Sequence, residues 1–208
     1  MLKLPPFPTK KECRKGDAHS HLQNISQQME IKIHDKDLRQ AAEQGMDAFL
    51  SVFTDAIGHA IGGELTAETM GRLNAHQITL WGYHLLHEEV MDGGIVQLIH
   101  NGYAPFFFQN PFAKAMRLWG LKDLCKLVYK AKDLYDVLTP EEQKKLTADC
   151  SDEEFMALFE QFPQFDEVDD EFVENEEDYT DRICRYVDEN LELFAVVVTD
   201  PAGDSNEE

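Results

Sequence analysis

Apolar residues along this chain recur mostly at intervals of three and four, the spacing that lines one face of a helix. From Asp37, a residue type suited to an N-cap, the series Leu38, Ala41, Ala42, Phe49, Leu50, Phe53, Ile57 and Ile61 predicts a helix stopped at Gly62-Gly63. Residues 65–94 predict a second long helix, capped by Thr66 and striped by Met70, Leu73, Gln77, Leu80, Trp81 and Leu85, with Gly93-Gly94 as its end. A short apolar helix, IVQLI, then runs to Asn101-Gly102. Beyond it Asn110 and Pro111 mark a further helix start, continuing with a bend at Gly120 through Leu121, Leu124, Leu127, Val128, Ala131, Leu134 and Leu138. Two capping boxes follow: Thr139 with Glu142, and Ser151 with Glu154, each pairing a hydroxyl with a carboxylate three residues on. A last helix is predicted from about Glu176 to Asn190. Strand spacing is confined to MEIKIH, where Ile31 and Ile33 alternate with polar residues, and to LFAVVV, its candidate partner.

This pattern predicts a mainly α protein. Its body is a single helical domain of about seven to nine helices over residues 37–198, with a minor two-stranded β element. Residues 1–36 read as an N-terminal arm with a short strand, and residues 199–208 as an acidic disordered tail. No internal repeat is evident.

Charge changes the picture. The chain has 208 residues and a formal net charge of -21. Residues 1–140 hold 16 acidic and 15 basic residues, whereas residues 141–208 hold 24 acidic and 4 basic. The excess is therefore local. It disfavours direct binding to nucleic acid, whose phosphates it would repel, and offers nothing to anionic lipid. No run of about 18 apolar residues suggests a membrane span, and the basic start lacks the apolar core of a secretory signal. Cys13, Cys125, Cys150 and Cys184 are scattered without a paired motif, as expected of reduced thiols in a cytoplasmic protein.

Residues 151–181 contain fourteen acids and no base. Within them Phe162, Phe165, Val168 and Phe172 fall at steps of three, three and four, the face of one helix or of two short helical pieces. Burying each Phe contributes roughly 2–3 kcal/mol, which outweighs i,i+4 carboxylate repulsions of a few tenths. The aromatics thus anchor a surface whose outward side is nearly all carboxylate: Asp166, Glu167, Asp169, Asp170, Glu171, Glu174, Glu176, Glu177 and Asp178. As continuous helix the stretch would be about 46 Å long, one charge per about 3.3 Å. One DNA strand carries a charge per about 3.4 Å. Such a face can attract a basic DNA-binding protein, provided that no lysine or arginine folds over it. The competing reading is that the acidity serves only solubility, on a helical scaffold or immunity-type protein.

Other chemistry is weaker. A calcium loop registered on Asp166 fails at Val168, where a ligand is required, and at Glu171, where the turn needs Gly. His84, His87 and Glu88 share a helical face, which makes a metal-assisted enzyme the least favoured alternative, because His-Glu-x-x-His and di-iron spacings are absent. Neither a nucleophile elbow nor a phosphate loop is found. The expectation is a non-enzymatic protein without metal or other cofactor.

The block MDGGIVQLIHNGYAPFFFQNPFAKAMRLWGLKDL followed by QFDEVDDEF resembles the C-terminal-domain family of bacterial DNA-mimic proteins, most members of which have no assigned function. Gly93, Gly94, Gln97 and Asn101 match the first part of that pattern. Leu118, Gly120 and Leu121 match the middle, and Phe165, Asp166, Asp169 and Phe172 the last part. Departures are Asp92 for Asn, Ile95 for Phe, and Leu98-Ile99 for a Phe pair. The resemblance spans about residues 65–195. It implies a mostly helical fold, no catalysis, no cofactor, an acidic surface bound by a DNA-binding protein, and self-association such as a homodimer.

Overall fold

The computed structural model describes residues 28–199, so the first 27 residues of the arm, Cys13 among them, and the tail from residue 200 lie outside the described residues. The protein is mainly α with one two-stranded parallel sheet. Its elements are β1 (Lys32–His34), α1 (Asp35–Gln44), α2 (Met46–Ile61), α3 (Ala67–Met70), α4 (Ala75–His100), α5 (Ala104–Gln109), α6 (Phe112–Leu118), α7 (Lys122–Asp136), α8 (Pro140–Leu146), α9 (Asp152–Phe159), α10 (Asp166–Glu189), α11 (Leu191–Phe194) and β2 (Val196–Val198). They form two compact units, residues 28–81 with 183–199, and residues 82–182.

The first unit contains the sheet. Lys32, Ile33 and His34 register with Val196, Val197 and Val198 in parallel, and the Val196 N–H donates to the Ile31 carbonyl at 2.8 Å. The pairing of MEIKIH with LFAVVV is thus present. The helix predicted from Asp37 begins at Asp35 instead, with both carboxylates in the first turn, where they face the positive end of the helix dipole. It also breaks at Gly45, whose φ of 122° no other residue type adopts readily. α2 ends at Gly62 as predicted, in the left-handed conformation. Phe53 is fully buried and meets Phe194 edge-on at 6.2 Å.

Thr66 does form a capping box, but with Thr69 around the four-residue α3. The long helix starts later, after Asn74, whose Oδ1 accepts the His76 and Gln77 N–H groups. The Asn74 and Gln77 amides also donate to the Leu193 and Phe194 carbonyls, tying α4 to the approach to β2. Asn-x-x-Gln is itself a cap signature, overlooked because Thr66 offered an earlier start.

The second unit holds the remainder of α4, α5 to α9, and α10 as far as Arg182. The predicted stop at Gly93-Gly94 is a kink: both residues leave helical geometry, Gly94 at φ 71°, before the helix resumes through Ile95–His100. Upstream of the kink the stripe swings to Leu86, which is buried, rather than Leu85. Asn110 closes α5 instead of opening the next helix, and α6 starts after Pro111. α6 and α7 are separate helices that turn at Gly120, not one bent helix. Leu98, Ile99, Met116, Leu121, Leu124, Leu146 and Phe165 are all fully buried here. Both capping boxes, Thr139 with Glu142 and Ser151 with Glu154, are formed as read.

Candidate partner-binding face

α9 ends at Phe159, a 3-10 turn spans Pro163–Phe165, and α10 begins at Asp166, ten residues ahead of its predicted start. The fourteen acids of residues 151–181 therefore do not share one 46 Å helix. The anchoring is as predicted: Phe162, Phe165, Val168 and Phe172 are all buried, and Tyr179 extends the same face. Phe172 and Tyr179 rings lie 5.8 Å apart, and Arg182 sits over the Tyr179 ring at 5.6 Å.

The nine candidate carboxylates separate into three sets. Asp166, Asp170, Glu174 and Glu177 are exposed and, among the described residues, make no ion pair. At steps of four, four and three they occupy an arc of about 80° and advance about 5–6 Å apiece. This stripe is sparser than the density expected from a count of acids, but it is unbroken.

The second set lies on one edge. Lys130 of α7 reaches Glu167 and Glu171, both at 3.4 Å. Arg182 bridges Asp178 at 2.8 Å and Asp123 at 2.6 Å, and the guanidinium holds the Asp123 carboxyl below its usual range against the opposing effect of burial. Basic side chains do fold over the acidic helix, then, and Lys130 and Arg182 do so along this edge.

The third set points inward. The Asp169 Oδ1 accepts the Ile95 N–H at 2.8 Å, while its Oδ2 is buried without a hydrogen-bond partner. Burial, reinforced by Asp166 and Asp170 and opposed by the Ile95 bond, pushes this carboxyl up to about 6. It occupies the freed amide end of the helix restarting at Ile95, so an acidic-stretch residue serves as a cap in trans. Gly94 makes the approach feasible, since a Cβ there would stand 2.3 Å from Oδ2. Glu176 Oε1 lies 2.8 Å from His87 Nε2 and accepts the Thr180 hydroxyl at 2.9 Å, and Thr180 in turn meets the Tyr83 hydroxyl at 2.7 Å.

That network explains part of the histidine cluster. His87 faces Glu176 and stands 3.5 Å from Glu88, and His84 is half-buried. No group of three or more metal-ligand side chains occurs among the described residues. The glycine block has a packing role too. The Gln97 side chain lies over Gly93 and its amide donates to Asp92 at 2.7 Å. The Asn101 amide donates to Glu89 at 2.7 Å, a carboxyl that burial pushes upward. Sequence reading missed Lys130, Arg182 and Tyr179 as neighbours of the face. The four-residue repeat Lys122, Lys126, Lys130 hinted at a basic edge nearby, and the four-residue step from Asp178 to Arg182 signalled that pair.

Residues 71–190 match the family described as DMP19-like protein, a span that includes the kink and all of α10. The DNA mimic protein DMP19 of Neisseria meningitidis serogroup B (strain ATCC BAA-335 / MC58) is 34% identical over 130 residues, covering 62% of this chain and 76% of the relative.

Proposed function

This chain belongs to the DMP19-like protein family, and from that premise we propose that it is a non-enzymatic DNA mimic whose α10 face occupies the DNA-contacting surface of a basic protein. The observation that carries this reading is the stripe Asp166, Asp170, Glu174 and Glu177, exposed on a helix whose opposite side is buried through Val168, Phe172 and Tyr179. Fixed geometry matters because a preorganised row of anions loses little conformational entropy when it meets lysines and arginines already spaced for phosphates. Glu167, Glu171 and Asp178 supply further charge once Lys130 and Arg182 yield to the partner's own cations. Asp169 and Glu176 act from below, by holding the helix in place. The cytoplasm is the setting in which such partners are met, and no helix among the described residues is long and apolar enough to cross a membrane.

The test is competition. DNA-binding proteins retained from an extract of the same cell are purified, and one is bound to labelled duplex DNA. Added protein should release the DNA, and its affinity should fall steeply between about 50 and 200 mM salt. A quadruple variant, Asp166→Asn, Asp170→Asn, Glu174→Gln and Glu177→Gln, should bind at least about tenfold more weakly, a loss of about 1.4 kcal/mol. A variant that competes as well as the native protein, or a partner that holds DNA and this protein at once, would defeat the proposal.

A further inference from the structure

Three side-chain links fix the register of α4 against α10. Tyr83 meets Thr180 at 2.7 Å, His87 meets Glu176 at 2.8 Å, and the Ile95 N–H meets Asp169 at 2.8 Å, so each step forward on α4 is a step back on α10. Met91, one turn beyond His87, and Val173, one turn before Glu176, therefore stand at one level on either side of that antiparallel seam. Their neighbours Val90 and Phe172 are buried, whereas Met91 is 46% exposed and Val173 52%. Carboxylates surround the pair: Glu88 and Asp92 beside Met91, and Asp170 and Glu177 at steps of three and four from Val173, all exposed. Glu167, Glu171 and Asp178, which Lys130 and Arg182 cover, lie about 120–160° round α10 from Val173.

Single exposed apolar residues are ordinary on a protein surface. Two at one level of a helix pair, ringed by carboxylates, have the anatomy of an interface: an apolar centre inside a polar rim. We propose that Met91 and Val173 form the apolar centre of the partner-binding face. The basic partner seats one apolar side chain on them while its lysines and arginines meet the surrounding carboxylates. Resting on the mimic reading, this contact adds to it an attraction that salt does not screen. Proteins that read the major groove of DNA carry apolar side chains among their cations, where they meet thymine methyl groups. The Val173 methyls offer such a side chain the same kind of contact, beside the anions of the stripe. Met91, unbranched and polarisable, adapts to the shape of what it meets.

The probe is a fluorescent synthetic helix of about 16 residues with arginines at three- and four-residue steps around one central Leu, used beside the same peptide with Gln in place of Leu. Anisotropy titration of the full chain should show both peptides binding more weakly as salt rises from about 50 to 200 mM. The Leu peptide should bind about tenfold tighter at either salt. Met91→Gln with Val173→Gln, both at exposed positions, should remove that advantage and leave the salt dependence as it was. The quadruple Asp166, Asp170, Glu174 and Glu177 variant should do the reverse, flattening the salt dependence and keeping the Leu advantage. Equal binding of the two peptides, or an advantage that survives Met91→Gln with Val173→Gln, would overturn the apolar contact alone. Failure of both peptides to bind in a salt-dependent way would defeat the mimic reading, and this contact with it. Sedimentation showing self-association that the double substitution abolishes would overturn it too, by assigning the patch to a second copy.

Discussion

The inward and outward edges of α10 are built from the same residue types and do opposite things. Asp166 and Asp170 flank Asp169 by three residues and by one, yet they face water while Asp169 caps a helix 74 residues away in sequence, at Ile95. Glu174 and Glu177 flank Glu176 by two residues and by one and also face water, while Glu176 is held by His87 and Thr180. A carboxylate count treats all of these as one surface. The rotation of 100° per residue and the buried aromatics divide them into anions left facing water and anions consumed by the fold.

The largest effect that could erase this division comes from beneath it. Phe172→Ala should cost about 3–5 kcal/mol in urea unfolding, through lost burial and the cavity left behind. If stability is instead unchanged, α10 is not anchored as described. Next is Gly94→Ala: the left-handed backbone and the collision with Asp169 together should cost about 2 kcal/mol. The same change at exposed Asp170 should move the urea midpoint hardly at all.

Asp169→Asn sharpens the contrast by pH. The folded carboxyl titrates at about 6, above its ordinary value of 3.8. Its protonated form therefore favours the native state, a contribution present below about pH 4 and lost as pH rises through 6. Wild-type stability should decline over that window, and Asn, which keeps an oxygen for the Ile95 N–H, should flatten the decline. At pH 7 the variant should be more stable by about 1 kcal/mol, the partial exposure of the group limiting the gain. Asp170→Asn should leave the profile intact, and if the two profiles match, the inward assignment fails. Smallest is Lys130→Ala. Loss of a surface pair should cost no more than about 0.5 kcal/mol, while unmasking Glu167 and Glu171 should tighten binding of a basic partner in a salt-dependent titration.

Much of this was legible in the chain. The boxes at Thr139 and Ser151 were, because a hydroxyl and a carboxylate three residues apart satisfy each other's backbone locally. The burial of Phe162, Phe165, Val168 and Phe172 followed from helical spacing. The helix starts at Asp37 and Glu176 were misplaced because acidic residues suit a first turn as well as a cap. The break at Gly45 went unread because one glycine inside a long apolar stripe is weak evidence against continuity.

Taken alone, the order of residues determined the helical class, the two strands, the location of the charge and the face that anchors it, since all depend on propensity, period and composition. Tertiary structure decided the rest: that Asp169 and Glu176 turn inward, that Lys130 and Arg182 cover one edge, and that Asp166, Asp170, Glu174 and Glu177 stay open. The physical reason is that a carboxylate's role depends on which donors come within about 3 Å of it. Arg182 and Thr180 reach Asp178 and Glu176 at four-residue steps on α10 itself, but the other donors come from α4 and α7, tens of residues distant in the chain, and no local pattern encodes their approach.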